Sequence, residues 1–137
     1  MNGRIQPCDL KHIERYGKIY AAAFSGDPWK DSWKTEDAAI HVQELLEAKT
    51  SSGFEYVRDD KAVGFILGTS MLFHYGRTFE INDLAVDPEY QRQGIAGELM
   101  DVMLSEIKKR GMAGVHLITA GEGRLPAFFE KYGVKKE

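Results

Sequence analysis

The stretch from Phe79 to Gly97, FEINDLAVDPEYQRQGIAG, limits the possible folds more than any other part of the chain. An apolar run of Ile81, Leu84, Ala85 and Val86 stops at Asp87-Pro88, and the polar turn Glu89-Tyr90-Gln91-Arg92-Gln93 follows. Gly94 and Gly97 then bracket the first turn of an amphipathic helix. A strand feeding a glycine-bearing helix start forms an anion site. The first N–H groups of a helix have no carbonyl to bond, and the helix dipole adds positive potential there. The first expectation is a ligand carrying phosphate, with Glu80 on the strand beside it.

The rest of the chain reads as scaffolding around that stretch. Arg4-Ile5-Gln6-Pro7 suits a short edge strand, where the missing N–H of Pro7 is tolerated. Asp9 offers an N-cap for a helix carrying Leu10, Ile13, Gly17, Tyr20, Ala21 and Phe24 along one face, which stops at Ser25-Gly26-Asp27-Pro28. Thr35 is the expected cap of a second helix with Ala38, Val42, Leu45 and Leu46 inside, ended by Thr50 to Gly53. The period then changes. Strands are predicted over 54–58 and 62–73, joined at Asp59-Asp60-Lys61, and a third antiparallel strand over 78–86. Gly64 and Gly68 in the second of these mark a bulge or a close backbone neighbour.

A helix over 94–110 has Ile95, Leu99, Met103 and Ile107 at near-four spacing and stops at Gly111. A buried strand over 115–119 should lie parallel to strand 78–86, because a helix separates them. A short helix over 125–132 and a barely completed strand from Val134 close the chain. The order β-α-α-β-β-β-α-β-α-β describes an α+β fold with a mixed central sheet flanked by helices. It fits one domain over residues 1–137, and no linker or repeat divides it.

Composition excludes several classes of function. Hydrophobic residues at 43% and charged ones at 28% fit a globular protein rather than a disordered one. The net charge of −3 leaves no general footprint for nucleic acid. Lys108-Lys109-Arg110, the densest basic run, falls where it complements a helix C-terminus. Cys8 is the single cysteine, so no disulfide framework exists, and a small core thiol explains it better than a nucleophile. No signal-peptide stretch or membrane-length apolar run is present, which makes the cytoplasm the default location and argues against a membrane partner. His12, His41, His74 and His116 are scattered without ligand spacing, so no metal is expected.

Gln91-Arg92-Gln93-Gly94-Ile95-Ala96 matches the signature Q/R-x-x-G-x-G/A, and here the chain resembles the GNAT superfamily of acyl-CoA-dependent N-acyltransferases. The element order, the Ala-Val-Asp-Pro-Glu-Tyr lead-in and the Phe-Phe-Glu-Lys-Tyr-Gly run near the end also resemble family segments. The bland alternative for the glycines is close helix packing. The resemblance implies acetyl-CoA as cosubstrate. It places the pyrophosphate on N–H groups from Gln91, Arg92 and Gln93 through Gly94, Ile95, Ala96 and Gly97. It pairs the pantetheine arm with the backbone of Leu84, Ala85 and Val86 like an added strand.

The resemblance further implies acetyl transfer to a primary amine by direct attack. Glu80, six residues before Val86, stands where relatives carry a base that acts through water. A solvated strand carboxylate is its bland alternative. Asp83 is the rival base, although simple alternation sets it on the opposite sheet face from Glu80. A backbone N–H near Leu84 or Ala85 would serve the oxyanion.

Phe129 occupies the family's usual tyrosine position beside the cofactor, so the usual general acid is missing. Tyr132, one turn on, is either a substitute or core. Arg124 replaces a usual asparagine and offers a phosphate contact. Trp29 and Trp33, with Asp27 and Asp31, fall where relatives hold the acceptor and suit a cationic amine, as they equally suit a capped core. A small molecule or a protein amine is the expected acceptor. The short C-terminus leaves an open sheet edge that a second copy could cover as a homodimer, or marks a shortened variant. A catalytically degenerate acyl-CoA-binding module, a sensor or partner-binding protein, is the reading from another class.

Overall fold

The computed structural model describes residues 3–25 and 32–117. Five strands form one sheet in the order β1 (Arg4–Pro7), β2 (Ser51–Arg58), β3 (Lys61–Phe73), β4 (Gly76–Val86) and β5 (Gly114–Leu117). The first three pairings are antiparallel, and β4 pairs with β5 in parallel. Helices α1 (Ile13–Phe24) and α2 (Thr35–Leu46) cover one face, and α3 (Ile95–Lys109) covers the other. This is the mixed sheet with flanking helices that the α+β pattern predicted. The expected helix over 125–132, the last strand and the sheet edge proposed for a dimer lie outside the described residues.

The two faces are packed by separate apolar sets. On the α3 side, Ile95, Leu99, Met100, Met103 and Ile107 meet Val63, Ile66, Phe79, Ile81 and Val86. On the other, Tyr16, Ile19, Tyr20, Ala38 and Val42 meet Ala62, Phe65, Leu67 and Ala85. The near-four spacing in α3 is therefore its buried stripe. Its basic C-terminal run sits at the negative end of the dipole, where Arg110 Nε also bonds Glu106 one turn back at 2.6 Å.

Several boundaries differ from expectation. Asp9 caps a single turn of 3-10 helix (Leu10–His12), accepting from the Lys11 N–H, and α1 begins only after it. Lys34, not Thr35, is the N-cap of α2, and it contributes no side-chain cap. The helix stops at Leu46, so Ser51 to Gly53 belong to β2 rather than to the helix end. Asp59 and Asp60 both take positive φ (55° and 63°), which makes a two-residue turn of the type that matches strand twist.

Each glycine of β3 flanks an irregularity in its ladder. Next to Gly64 the register slips, and Val63 is the extra residue. At Gly68 the partners run Leu67↔Asp83 and then Gly68↔Ile81, which leaves Asn82 of β4 as a bulge. Glycine is required opposite that bulge, because a Cβ at 68 would stand 2.1 Å from the Glu80 carbonyl oxygen. Asn82 resets the alternation of β4. Phe79 and Ile81 face α3 before it, and Leu84 and Val86 face α3 after it. Asp83 and Ala85 consequently face α1 and α2, the same side as Glu80.

A fully buried carboxyl group fastens the edge strand to this framework. Glu55 of β2 accepts from Gln6 Nε2 and from the Tyr16 hydroxyl, and His12 Nδ1 lies 2.9 Å from its Oε1. Burial and the neighbouring Glu55 carboxyl raise the Tyr16 phenol, and burial pushes the Cys8 thiol up to about 12. Cys8 is thus the inert thiol its sequence context suggested.

Substitution Gly68→Ala should lower stability by about 1–3 kcal/mol through overpacking against the β4 bulge. Urea unfolding measures it, and a variant as stable as the native chain would refute the close approach.

Candidate functional site

Strand β4 brings the site together. Its pairing with β5 covers Thr78 to Ile81, and beyond that point Asn82 to Val86 have no strand partner on that side among the described residues. Their other side is bonded to β3. The chain leaves β4 through Asp87, whose Oδ1 accepts from the Glu89 N–H (3.0 Å) and thereby starts the 3-10 turn Pro88–Tyr90. The Asp87 Oδ2 accepts from Arg15 Nη2 of α1 at 2.7 Å, while Arg15 Nε donates to the Ala62 carbonyl. This bridge ties the turn to both α1 and β3.

The loop between β4 and α3 is exposed from Gln91 to Gly94. Arg92 takes φ 65°, and Gly94 takes φ 84° as the N-cap of α3. Only glycine adopts the latter without strain, and no described atom lies within 4 Å of where its Cβ would be. Gly94 has no side chain with which to cap, so the helix start is presented to solvent through backbone. Gln91 and Gln93 are not free arms. Gln91 Nε2 donates to the Val86 carbonyl at 2.9 Å, and Gln93 Oε1 accepts from Arg58 Nη1. Ile95 buries its side chain in the α3 core, leaving its N–H to the loop side, and Ala96 and Gly97 are half-buried.

On the α1–α2 side, Glu80 is half-buried, and its Oε2 lies 3.5 Å from Asn82 Nδ2. Asp83 is not on the opposite face, as alternation predicted, because the bulge turns it toward α2. There its Oδ2 meets His41 Nε2 at 2.9 Å. Asp83 is 6% exposed and the His41 side chain 34%. The hydrogen bond to Asp83 lifts His41 above its ordinary value, against the opposing effect of burial, and the negative charges of Asp83 and Glu44 add to the rise. Trp33 stands 5.3 Å from the His41 ring, Tyr20 stands 4.9 Å from it, and the two aromatic rings meet edge-on at 5.1 Å.

Of the residues singled out in the sequence, Glu80, Asp83, Leu84, Ala85, Val86 and the loop from Gln91 to Gly97 are brought together along one strand and its exit. Trp33 joins the layer above Asp83. Trp29, Arg124, Phe129 and Tyr132 lie outside the described residues. Sequence reasoning missed His41, whose signal was its place beside Ala38, Val42 and Leu45 on the inner stripe of α2. It also missed Arg15 and Arg58, which reach the loop from 72 and 35 residues away. A cleft of about 420 Å³ lies elsewhere, at the β1 edge between Arg4, His12, Arg15 and Lys61, and includes neither Glu80 nor Asp83. Among the described residues no group of three or more metal-binding side chains gathers, and no helix is long and apolar enough to cross a membrane.

This sheet, with its parallel β4–β5 pair and glycine-led helix, has the acetyltransferase (GNAT) fold. The family model for the acetyltransferase (GNAT) family matches residues 13–134, and the chain belongs to that family, whose members transfer acyl groups from acyl-CoA to amines. It is 32% identical over 81 residues to the [ribosomal protein bS18]-alanine N-acetyltransferase of Escherichia coli K12, covering 58% of this chain and 52% of that protein. The chain thus spans about half the length of the curated relative it matches. A possible acetyltransferase from Clostridium difficile 630 shares the fold at a TM-score of 0.82 and 19% identity, over 99% of this chain and 92% of that one. An aminoglycoside acetyltransferase from an uncultured soil metagenomic sample, solved with sisomicin, does so at 0.68 and 20%, over 96% and 84%.

The His41–Asp83 pair makes stability depend on pH in a defined sense. Because His41 titrates above 6.5 in the fold, its share of stability is fully present just below that value and is lost as pH rises through the lifted midpoint. Asp83→Asn should therefore cost more thermal stability at pH 6 than at pH 8.5, measured by melting. An equal loss at both would show the pair to be uncoupled.

Proposed function

We propose that this chain, as one domain over residues 1–137, transfers an acetyl group from acetyl-CoA to a primary amine by direct attack, without a covalent enzyme intermediate. One observation carries the reading. The edge of β4 over 82–86, which has no strand partner on the β5 side among the described residues, runs directly into the exposed, left-handed Gly94 start of α3. An extended ligand with an anion at its far end suits that line of backbone. Groups of Leu84, Ala85 and Val86 would pair with the pantetheine arm. The loop from Gln91, Arg92 and Gln93 through Gly94 to Ile95, Ala96 and Gly97 would hold the pyrophosphate on main-chain N–H groups. Phe129 would pack beside the cofactor and Arg124 would reach one of its phosphates.

Glu80 would take the ammonium's proton through water, and an N–H near Leu84 or Ala85 would stabilise the oxyanion. Tyr132 would protonate the departing thiolate, for which a thiol pKa of ~8.5 already makes departure tolerable. Trp29 and Trp33 would receive the cationic acceptor. The ribosomal-protein relative supports a peptide N-terminus as acceptor, and the structure holding sisomicin supports an aminoglycoside amine. A cytoplasmic setting accords with both. Phe129, in place of the usual tyrosine, supports the second reading, an acyl-CoA-binding module without turnover.

Calorimetry with acetyl-CoA, followed by thiol release over a panel of a peptide with N-terminal alanine, sisomicin and a simple alkylamine, tests the proposal. Wild type should bind and release CoA only with amine. Glu80→Gln should lower kcat by about 10²–10⁴ with acetyl-CoA affinity unchanged. Gly94→Val should weaken acetyl-CoA about tenfold or more. Binding without amine-dependent release, in wild type and Glu80→Gln alike, favours the binding module, and no binding overturns both readings.

A further inference from the structure

We infer that His41, held by Asp83 and walled by Tyr20 and Trp33, is a second proton acceptor for the incoming amine. The inference rests on the acetyl-transfer reading above and assigns a residue that the reading does not use.

Its first support is the bulge at Asn82. Without it Asp83 would face α3, and with it Glu80 and Asp83 lie on one face of one strand. Three residues of strand separate them, at most about 10 Å along the chain and less across a bulge.

The second support is the orientation of the imidazole. An ionised Asp83 only accepts hydrogen bonds, so the 2.9 Å contact puts the proton of neutral His41 on Nε2. Nδ1 then keeps its lone pair, and no bond to it is recorded among the described residues. Asp83 is thus a positioning residue that fixes the tautomer and sustains the imidazolium once it forms. The Tyr20 and Trp33 rings stand 4.9 and 5.3 Å from the imidazole and favour a cation there.

The chemistry needs a second acceptor. On the way to an amide, an alkylammonium sheds two protons. Glu80 takes the first through water, which frees the nitrogen to attack. As the C–N bond forms and the tetrahedral centre collapses, His41 Nδ1 takes the second proton. The C–S bond breaks with its electron pair on sulfur, and the thiolate becomes CoA by protonation. Glu80 and His41 each give their proton back to solvent while the thiolate takes one up, so the net release is one proton for each acetyl group transferred.

The groups that set this titration are few. Asp83 faces His41 from β4, the Tyr20 phenol from α1, and Glu44 from the next turn of α2, whereas β3 presents apolar Phe65 and Leu67 to the layer. Asp83 and Glu44 both hold the proton on more tightly, so the neutral form required here is reached at a pH above the ordinary histidine value.

The test is the pH profile of kcat/KM for CoA release with the amine of the panel that turns over best. Wild type should rise through a midpoint above 6.5. His41→Gln should lose that rise and fall about 100-fold at pH 8, while remaining folded and keeping its acetyl-CoA affinity. Asp83→Asn should keep the rise with its midpoint moved down. His41→Ala should recover activity when imidazole is added, which a histidine that only pins α2 to β4 would not show. A His41→Gln profile superimposable on wild type, or no recovery with imidazole in a folded His41→Ala, overturns the role of His41 and leaves acetyl transfer standing. No amine-dependent release from wild type overturns both.

Discussion

The pairing of β3 with β4, broken once at Asn82, is the constraint on which the site depends. Strand β4 serves two apolar layers, a stretch over 82–86 with no strand partner on the β5 side among the described residues, and the acidic side chains Glu80 and Asp83. A regular strand cannot do all of this, because a period of two commits every second residue to one face. The extra residue lets the α3 layer take Phe79 and Ile81 below the bulge and Leu84 and Val86 above it. The polar side chains are thereby gathered on the other face.

Around this strand the remaining contacts work as braces. Arg15 reaches across from α1 to Asp87 and the Ala62 carbonyl, so the exit of β4 is fixed from two directions. Gln91 returns to the Val86 carbonyl, and Arg58 steadies Gln93. The loop is held by its polar side chains while its backbone remains exposed. Such an arrangement keeps a glycine-led helix start in place, and no described atom lies within 4 Å of where a Gly94 Cβ would be.

Much of this was legible in the residues. The apolar run ending at Asp87-Pro88, the glycines at 94 and 97 and the near-four spacing through Ile107 carried the strand, the turn and α3. The glycines of β3 also announced ladder irregularities. They did not reveal which partner strand would carry the extra residue. That is why Asp83 was assigned to the wrong face by an otherwise sound alternation rule. Metal spacing does not single out His41, because what sets it apart is a bond to a carboxylate 42 residues away. Glu55 reads as an ordinary strand carboxylate, and its three partners lie 39 to 49 residues distant. Local pattern cannot assemble such long-range groups, whereas it readily finds periodic faces.

The buried Glu55 carboxyl has a meaning for assembly of the chain as well. Gln6 is both its hydrogen-bond partner and its register partner across the β1–β2 ladder. A slip of β1 by one residue would replace Gln6 with Ile5 or Pro7, turn Ile5 from the apolar layer and leave the carboxyl short of a donor. A strand of four residues at the margin of a sheet has little apolar area with which to choose its alignment. Here a single polar group makes that choice, working as a keyway that admits the N-terminal segment in one position only.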